Sequence, residues 1–290
     1  MTARLERERR LWQCGRFKIS LETPLVMGVL NLTPDSFSDG GQYFDPEVAV
    51  ARALAMVAEG AAMIDVGGES TRPGASELSV ESELQRVLPV IKRLIAAVEV
   101  PVSIDTRHAA VAAAAVGEGA SIINNIMPLA DDRPMARVAA ESGTGLVVMH
   151  MRGTPAEMTA LANYEHVVEE VFEELRESYD FALANGVTTG QIVVDPGIGF
   201  AKTTHHNLAL LAGVARLREL APVLAGASRK RFIGELCHAP VADDRVGGSL
   251  GVAVWCVLHG VSIIRAHDVK ESCQALTIVN EIRRAREMER

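Results

Sequence analysis

Residues 25–41 read LVMGVLNLTPDSFSDGG, an apolar run that ends at Asn31 and opens into a loop of Thr, Pro, Asp, Ser and Gly. The apolar part, LVMGVLN, has the length and composition of a strand that is buried on both faces. Helix signals follow the loop, because Asp45 and Pro46 are a cap residue and a first-turn proline, and Gly60 suits the helix end. This segment predicts a strand, a polar loop and a helix.

The same unit recurs along the whole chain, where eight short apolar runs alternate with longer stretches rich in Ala, Glu and Arg. Such alternation favours parallel strands covered by helices, and a closed (β/α)8 barrel is the economical arrangement for 290 residues. A doubly wound open sheet is the main alternative. The predicted strands are LVMGVLN, AAMIDVG, VPVSIDT, ASIINNI, TGLVVMH, QIVVDP, APVLAGAS and VSIIRAH, which end near residues 31, 67, 106, 126, 150, 196, 228 and 267.

The predicted fold class is therefore α/β, with a single (β/α)8 TIM barrel as one domain over residues 25–290. Residues 1–24 are predicted to be an N-terminal extension. Within it, LWQ and RFKISL flank a turn at Cys14 and Gly15, which predicts a hairpin that caps the bottom of the barrel. No low-complexity linker divides the chain.

Composition argues against several classes of protein. The formal net charge of −8 disfavours nonspecific binding to nucleic acid, which needs an excess of Lys and Arg. No apolar run approaches the roughly 18 residues of a membrane span. The segment MTARLERERRLWQCGRF lacks the apolar core of a secretory signal, and four cysteines without a C-x-x-C pair disfavour a disulfide framework or a structural zinc site. We expect a cytoplasmic protein with neither a membrane nor a nucleic-acid partner.

Polar residues stand at the end of every predicted strand. In a barrel all eight carboxyl ends meet on one face, which is where the active sites of such barrels lie. The loop after Asn31 would then lie over a concave pocket, and Pro34, Gly40 and Gly41 suit a segment that closes over a substrate. The strand-end residues are Asn31, Asp65, Asp105, Asn124, Asn125, His150, Asp195, Ser228, Arg265 and His267.

Members of this set have simpler explanations when they are taken singly. An Asp after a strand is often only a helix cap. His150 alone is more typical of a satisfied structural histidine than of a catalyst, and the glycines in RVGGSLGVAVW favour close helix packing, with a subunit interface as one use. The convergence of polar ends from all eight strands favours a functional site.

The residue types of this set suit the positioning of a ligand better than covalent catalysis. The chain lacks G-x-x-x-x-G-K-[ST] and H-E-x-x-H, which weakens the cases for P-loop phosphoryl transfer and zinc proteolysis. Side chains of Asp105, Asn124 and Asp195 can accept hydrogen bonds from a ring that bears adjacent N–H donors. Arg265 and His267, with nearby backbone N–H groups, form a candidate anion site.

Seven segments, in the same order as in a known family, carry a family resemblance. From about Pro24 to the C-terminal helix the sequence resembles the dihydropteroate synthases. The resemblance implies an eightfold barrel and a transferase of folate biosynthesis, which joins 6-hydroxymethyl-7,8-dihydropterin pyrophosphate to p-aminobenzoate and releases pyrophosphate. The segments are MGVLNLTPDSFSDGG, IDVGGESTRPGA, SIDTR, VVMHMRG, DPGIGFAK, GASRKRFIG and IRAHDV.

Two groups of pterin contacts are implied by the resemblance. The residues implied to hydrogen-bond the pterin are Asp105, Asn124, Asp195 and Lys230. The residues implied to pack on the ring faces are Met149, Phe200 and Arg265. The first group includes Asp105, Asn124 and Asp195, which the strand-end pattern also predicts as ligand contacts.

The rest of the implied site handles pyrophosphate and p-aminobenzoate. Mg²⁺ is the implied cofactor, and Asn31 as its one protein ligand suits an ion that keeps water and takes phosphate oxygens. Loops around Phe37 and around Thr71 to Pro73 are implied to close over the pyrophosphate and to shape the p-aminobenzoate slot, where sulfonamides compete. The implied contacts are Asn31, Phe37, Thr71, Arg72, Pro73, Arg231, Arg265 and His267.

The resemblance also implies a dissociative reaction. Mg²⁺, Arg265 and His267 stabilise the departing pyrophosphate, which leaves a cationic pterin methylene for the aniline nitrogen to attack. No side-chain nucleophile is required. The implied catalytic residues are Asn31, Lys230, Arg265 and His267, and the implied assembly is a homodimer through helices on one side of the barrel.

Two departures from the family pattern leave other functions open. Asn125 stands where family members usually have Asp, and Arg231 stands where some members have a Ser that contacts the p-aminobenzoate carboxylate. A solvated helix end is the simpler explanation of Arg231. The alternatives are a catalytically silent pterin-binding paralogue, which Asn125 favours, and a corrinoid-dependent methyltransferase barrel, which the loops TPDSFSDGG and ESTRPGA disfavour.

Overall fold

The computed structural model of the chain describes residues 11–32, 45–70, 77–130 and 132–289. Four of the predicted site residues, Phe37, Thr71, Arg72 and Pro73, lie outside the described residues.

Eight parallel strands form one sheet that closes into a barrel. In spatial order the sheet runs β8-β7-β6-β5-β4-β3-β10-β9, and a parallel bridge between Val194 and Val223 joins its two ends. The strands are β3 (Leu25–Asn31), β4 (Met63–Gly67), β5 (Val102–Asp105), β6 (Ile122–Asn125), β7 (Gly145–Met149), β8 (Ile192–Asp195), β9 (Leu224–Ala225) and β10 (Ile263–Ala266). The predicted barrel is confirmed, and the alternative of an open sheet is wrong.

Strand β9 is much shorter than the predicted APVLAGAS, which was expected to end near residue 228. Only Leu224–Ala225 pairs with β10. The chain then leaves the sheet, because the Lys230 N–H donates to the Ala227 carbonyl in a turn and Arg229 has a φ of 59°, which no strand residue adopts. This early exit brings residues 226–230 over the carboxyl ends of the strands.

Helices follow the strands and cover the outside of the barrel. The first begins as predicted, since the Asp45 carboxylate accepts a hydrogen bond from the Glu47 N–H at 2.9 Å and Pro46 occupies the first turn. The helices are α1 (Pro46–Ala58), α2 (Val80–Ala97), α3 (Ala109–Gly117), α4 (Arg133–Ser142), α5 (Val167–Ala184), α6 (Thr204–Ala212), α7 (Arg231–Leu236), α8 (Val246–Leu258) and α9 (Val269–Met288). Within the described ranges, none of the helices is long and apolar enough to cross a membrane.

An antiparallel hairpin, β1 (Leu11–Cys14) and β2 (Phe17–Ser20), closes the bottom of the barrel, as predicted. Trp12 and Cys14 are buried against side chains from the early part of the barrel strands, among them Met63 and Ile122. The Trp12 indole N–H also donates to the Gln191 carbonyl at 2.7 Å. The hairpin therefore shares an apolar cluster with the barrel, and a domain boundary at residue 24 stays a prediction.

Of the glycines in α8, only Gly248 serves close packing inside the chain. A Cβ there would lie 2.4 Å from the Ile233 Cγ2 atom of α7, whereas Gly247 and Gly251 face open space. Residues 247–251, GGSLG, also fit the G-x-S-x-G pattern of hydrolase nucleophiles. Ser249 lies within a helix and donates to the Arg245 carbonyl at 2.8 Å, so it does not stand on the strand-to-helix turn that such a nucleophile needs.

Candidate active site

A cavity of about 1420 Å³ opens at the carboxyl ends of the barrel strands. Three predicted pterin contacts, Asn124, Met149 and Asp195, are almost fully buried and do not line the cavity. The predicted site residues that line it are Asn31, Asp105, Phe200, Lys230, Arg231, Arg265 and His267. The barrel thus brings together residues that are far apart in the chain.

Arg265 on β10 is held between two buried carboxylates. Its Nε donates to Asp65 Oδ2 and its Nη2 donates to Asp105 Oδ2, both at 2.6 Å. The Asn124 side chain donates to the same Asp65 oxygen at 2.9 Å. Asp65 belongs to the strand-end pattern, but no ligand was predicted for it. Its position beneath Arg265 makes it the residue that links the guanidinium to Asn124.

Burial raises the pKa of both acidic residues that are predicted to contact the pterin. For Asp105 burial is the largest cause, Arg265 opposes it, and the neighbouring Asp65 adds to it. For Asp195 burial raises the pKa to about 6, although the Gly197 N–H donates to its Oδ1 at 2.7 Å and lowers it. Asp105 lines the cavity and Asp195 is buried behind its lining residue Gly226, so both carboxylates carry a charge that is costly until a hydrogen-bond donor reaches it.

Lys230 and Phe200 form the side of the cavity. The Lys230 ammonium lies 3.9 Å from the centre of the Phe200 ring, which is a cation–π contact. Burial lowers the pKa of Lys230 to about 8, and the nearby Arg265 lowers it further while Asp195 and Asp105 raise it. Met149 packs in the same apolar cluster as Phe200, so an aromatic and a thioether side chain meet here.

His267 is held as a neutral imidazole. Burial is the main cause that lowers its pKa to about 3, followed by the positive charges of Arg265 and Arg229. Its backbone N–H donates to Ser228 Oγ at 3.2 Å, and its Nδ1 lies 3.1 Å from the same oxygen. His267 can therefore offer an anion a hydrogen bond but no charge.

Asn31 and Asp105 flank a gap that a glycine keeps open. Gly67 pairs with Asn31 on one side and with Asp105 on the other, in neighbouring strands. A Cβ on Gly67 would lie 3.7 Å from Asn31 Oδ1 and 3.6 Å from Asp105 Oδ2. Two side-chain oxygens therefore border this gap, and that of Asp105 already accepts a hydrogen bond from Arg265.

Arg231 is the most exposed of the predicted contacts that fall within the described residues. It begins α7, its side chain is 73% exposed, and its Nε lies 3.1 Å from Glu235 Oε1 one turn later. This geometry is that of a solvated helix end at the cavity rim, and a contact with p-aminobenzoate stays a prediction.

Two strand-end residues turn away from the cavity. Asn125 is fully buried and closes its own turn, since it donates to the Met127 carbonyl at 3.0 Å and accepts from the Met127 N–H at 3.2 Å. His150 is buried and its Nε2 lies 2.9 Å from Glu174 Oε2. His150 is therefore better explained as a buried, hydrogen-bonded structural histidine than as a catalyst.

A second group of potential metal ligands is an ion-pair network. Ligand atoms of Glu69, Glu83 and His108 lie within 4.8 Å of one another. Arg107 already donates to both Glu69 oxygens, at 2.9 and 3.1 Å, and His108 Nδ1 lies 2.7 Å from Glu83 Oε2. Because these contacts engage both Glu69 oxygens, His108 Nδ1 and Glu83 Oε2, ion pairing explains the group better than a metal site does.

The fold and the site define an α/β-barrel enzyme that binds a polar heterocycle beside an anion. The profile of the family described as "Pterin binding enzyme" matches residues 27–267. The dihydropteroate synthase of Mycobacterium leprae (strain TN) is 47% identical over 268 residues, which cover 90% of this chain and 94% of that protein. The synthase of Escherichia coli (strain K12) is 42% identical, with 94% and 96% covered.

Solved structures agree with these relatives. The Xanthomonas albilineans dihydropteroate synthase with 4-aminobenzoic acid has a TM-score of 0.89 and 41% identity, and the match covers 95% of this chain and 98% of that one. The same enzyme in complex with 7,8-dihydropteroate has a TM-score of 0.86 and 39% identity, with 94% and 98% covered. The chain belongs to the dihydropteroate synthase family. The predicted family, enzyme class and synthase function are confirmed.

Proposed function

We propose that this chain joins 6-hydroxymethyl-7,8-dihydropterin pyrophosphate to p-aminobenzoate, forming 7,8-dihydropteroate and releasing pyrophosphate. The observation that carries the proposal is the buried array of Asp65, Asp105, Asn124 and Arg265 beneath an open cavity. Such an array matches a ring with several adjacent N–H groups. The complexes of the Xanthomonas albilineans enzyme with 4-aminobenzoic acid and 7,8-dihydropteroate support the same substrates.

In this proposal the pterin binds at the buried end of the cavity. Carboxylates of Asp105 and Asp195 accept its N–H groups, and Asn124 and Lys230 complete the hydrogen bonds. The ring then lies beside Phe200, Met149 and the Arg265 guanidinium. Because Arg265 already contacts Asp105 at 2.6 Å, the pterin enters a site whose charges are balanced before it arrives.

The p-aminobenzoate binds nearer the rim. Arg231 lies there with its side chain exposed, so it is free to turn toward a carboxylate. Phe37, Thr71, Arg72 and Pro73 complete this part of the proposal, which rests for them on the family resemblance. A sulfonamide would compete for the same place, and the Yersinia pestis dihydropteroate synthase, which is 39% identical, has been solved in complex with a sulfonamide drug.

Mg²⁺ is the proposed cofactor. The support for this ion on the protein side is the Asn31 amide oxygen, because hard cations prefer oxygen ligands; Asp105 Oδ2 nearby already accepts from Arg265 Nη2 at 2.6 Å. Asn31 would hold the ion together with water and pyrophosphate oxygens. When bound, Mg²⁺ neutralises part of the charge on the leaving pyrophosphate.

The proposed chemistry is dissociative. The bond between the pterin methylene carbon and the ester oxygen of the pyrophosphate breaks, and its electron pair leaves with that oxygen. The aniline nitrogen then forms the new C–N bond with its lone pair and releases one proton to water. Arg265 stabilises the leaving group with hydrogen bonds and with its positive charge, and neutral His267 donates a hydrogen bond from its ring N–H. Asp105 and Asp195 stabilise the cationic pterin.

The silent-paralogue alternative rested on Asn125. Since the amide nitrogen and the oxygen of the Asn125 side chain are both hydrogen-bonded to the Met127 backbone, Asn125 gives no reason for an inactive site. Among the described residues, no observation favours the methyltransferase alternative.

A coupled assay tests the proposed function. Purified protein is mixed with the pterin pyrophosphate and p-aminobenzoate, with and without Mg²⁺, and dihydropteroate and pyrophosphate are measured separately. We expect equal amounts of both products, and only with Mg²⁺. Binding of the pterin pyrophosphate without either product would overturn the proposal.

Two variants test the residues assigned to the leaving group. We expect Asn31→Ala and His267→Ala each to lower turnover by about a hundredfold, as removal of a single charge-stabilising group does in other enzymes. Asn31→Ala should also weaken the dependence on Mg²⁺. Arg137→Ala, a change at an exposed arginine on α4, is the control. Unchanged turnover and Mg²⁺ dependence in both variants would rule out the dissociative scheme.

We also propose a cytoplasmic homodimer. The cysteines at positions 14, 237, 256 and 273 are all free, which suits a reducing compartment. Large apolar side chains are exposed on α8 and α9, namely Trp255, Leu258, Ile278 and Ile282. An apolar surface of this kind suits contact with a second copy of the chain.

A further inference from the structure

Lys202 is a buried lysine at the cavity wall to which the proposed reaction assigns no role. Its side chain is only 7% exposed, and it borders the cavity. The ammonium donates to the Phe200 carbonyl at 2.9 Å and lies 2.9 Å from His150 Nδ1. Burial lowers the pKa of Lys202 to about 7, while Asp195 and Glu174 raise it. A buried ammonium is costly, so its two partners must hold it in place.

The ammonium sets the orientation of His150. The Glu174 carboxylate can only accept a hydrogen bond, so His150 Nε2 must donate to it and Nδ1 of the neutral ring must accept from Lys202. The ring proton then lies on Nε2, which donates to Glu174 Oε2 at 2.9 Å. Burial and the charge of Lys202 lower the pKa of His150 to about 4, so the ring stays neutral.

Arg152 fixes the far end of this chain of hydrogen bonds. Its Nε donates to Glu174 Oε1 at 3.0 Å and to Oε2 at 3.2 Å. Although burial acts to raise the pKa of Glu174, the hydrogen bonds from His150 and Arg152 lower it to about 2. The hydrogen bonds thus form a chain that links Arg152, Glu174, His150, Lys202 and the Phe200 carbonyl. In this chain each donor and each acceptor is determined.

The segment that this chain of hydrogen bonds holds has an unusual backbone. Gly197, Gly199 and Ala201 have φ values of 65°, 86° and 49°, in the left-handed region. For Ala201 that conformation is strained, because it brings the Cβ too close to the following carbonyl oxygen. Phe200 lies between two such residues. The hydrogen bond from Lys202 to its carbonyl therefore helps to set the position of the Phe200 ring.

We propose that Lys202 is a positioning residue, which holds the Phe200 ring against the Lys230 ammonium and so presents one aromatic face to the pterin. The inference rests on the proposed function for the identity of the ligand. It explains why a lysine is buried 2.9 Å from a carbonyl and a histidine nitrogen without touching the reacting atoms.

The test compares variants of the full-length protein in two assays. Binding of 6-hydroxymethylpterin is followed by fluorescence, and steady-state rates give kcat and the KM for the pterin pyrophosphate. We expect Lys202→Met to weaken pterin binding and to raise this KM by about tenfold, since it leaves two buried acceptors without a donor. The kcat should change much less. Lys202→Arg, which keeps charge and donors, should restore most of the affinity.

Lys92→Met, at an exposed position of α2, is the matched control and should bind the pterin like the unmodified protein. If circular dichroism shows that Lys202→Met is unfolded, Glu174→Gln is measured instead. Glu174 is half-buried, and its substitution weakens the hold on His150 while Lys202 stays in place. We expect it to weaken pterin binding in the same direction, by less.

Unchanged pterin affinity in a folded Lys202→Met or Glu174→Gln protein would overturn the inference. So would a fall in kcat alone, because that result would place Lys202 in the chemical step. Failure of the proposed function gives a different result, in which the unmodified protein binds 6-hydroxymethylpterin but makes no dihydropteroate. The binding comparison still decides the role of Lys202 in that case.

Discussion

Asp195 shows how one buried carboxylate can make ligand binding depend on pH. Its Oδ1 accepts from the Gly197 N–H at 2.7 Å, and burial raises its pKa from 3.8 to about 6. By linkage, the protonated side chain stabilises the fold fully below pH 3.8, and this contribution is lost as pH rises through about 6. The charged form, which accepts hydrogen bonds from the pterin, prevails above that value.

We therefore predict that pterin affinity falls as pH drops below about 6, and protonation of Asp195 alone contributes at most about tenfold per pH unit. Asp105, whose pKa burial also raises, acts in the same direction. The measurement is titration of 6-hydroxymethylpterin by fluorescence between pH 5 and 8. Asp195→Asn should bind the pterin more weakly at pH 8, and its affinity should change less between pH 5 and pH 8. Equal affinity of the unmodified protein at pH 5 and pH 8 would contradict this assignment.

Asn125 is a structural amide in this chain. It both donates to and accepts from the Met127 backbone, at 3.0 and 3.2 Å. We predict that Asn125→Asp lowers the free energy of unfolding at neutral pH by about 1–3 kcal/mol, because a carboxylate cannot donate to the Met127 carbonyl and is left facing it. The value of kcat/KM should stay within about threefold, or ~0.7 kcal/mol.

Urea unfolding and the coupled assay measure these two effects of Asn125→Asp. Asn185→Asp is the matched control, because Asn185 also donates to a carbonyl, that of Phe181 at 2.9 Å, but at a half-buried helix end. Its loss of stability should be smaller. A gain in turnover without loss of stability in Asn125→Asp would instead place the missing charge in the active site.

At the scale of the elements, the N-terminal hairpin serves stability and the opposite end of the barrel serves binding. Trp12 is buried in the apolar cluster at the bottom and donates to Gln191, while the cavity lies at the carboxyl ends of the strands. The short β9 belongs to the binding end, since the chain leaves the sheet after Ala225 and carries Lys230 to the cavity. The two ends of the barrel should therefore respond independently to mutation.

We predict that Trp12→Ala lowers the free energy of unfolding by about 3–5 kcal/mol through loss of buried contacts. Pterin affinity of the folded protein should change less than twofold, about 0.4 kcal/mol. Leu11→Ala, at the neighbouring exposed position, should cost less than about 0.5 kcal/mol. Urea unfolding and the pterin titration give both quantities. Weaker pterin binding in a fully folded Trp12→Ala protein would refute the separation of the two ends.

At the scale of the whole molecule, closure of the barrel creates the site and leaves apolar surface on one side. The ends of the sheet meet through Val194 and Val223, which brings β8 to the side of β9, while β10 lies between β3 and β9 within the sheet. Arg265 can then reach carboxylates on β4 and β5. On the outside, Leu258 of α8 and Ile282 of α9 remain 57% and 65% exposed.

We predict a homodimer, with a mass of about twice 31.1 kDa in light scattering after size-exclusion chromatography. Leu258→Glu should shift the protein toward the monomer, because a charge in an apolar interface is costly to bury. Leu161→Glu changes an equally apolar, exposed residue on a loop outside α8 and α9, and it should leave the mass unchanged. A monomeric mass for the unmodified protein would refute the prediction.

Much of this architecture was predictable because its signals are local. The alternation of apolar runs with helical stretches predicts the barrel, and Asp45 with Pro46 predicts the start of α1. The end of β9 was not predictable in the same way, because APVLAGAS is apolar or small up to Ser228 and only the turn at Arg229 removes it from the sheet. Lys202 follows Phe200 closely in GIGFAK, but its partner His150 lies 52 positions away.

The sequence by itself determined the fold class, the family and the set of polar residues at the strand ends, because hydrophobic periodicity and motif order are properties of the chain. Only the tertiary structure decided which of those residues work together. Arg265 lies 200 positions from Asp65 and 160 from Asp105, yet contacts both. Side chains alternate between the two faces of a strand, so the strand register and the exits from the sheet turned Asp105 toward the cavity and Asn125 into its own turn.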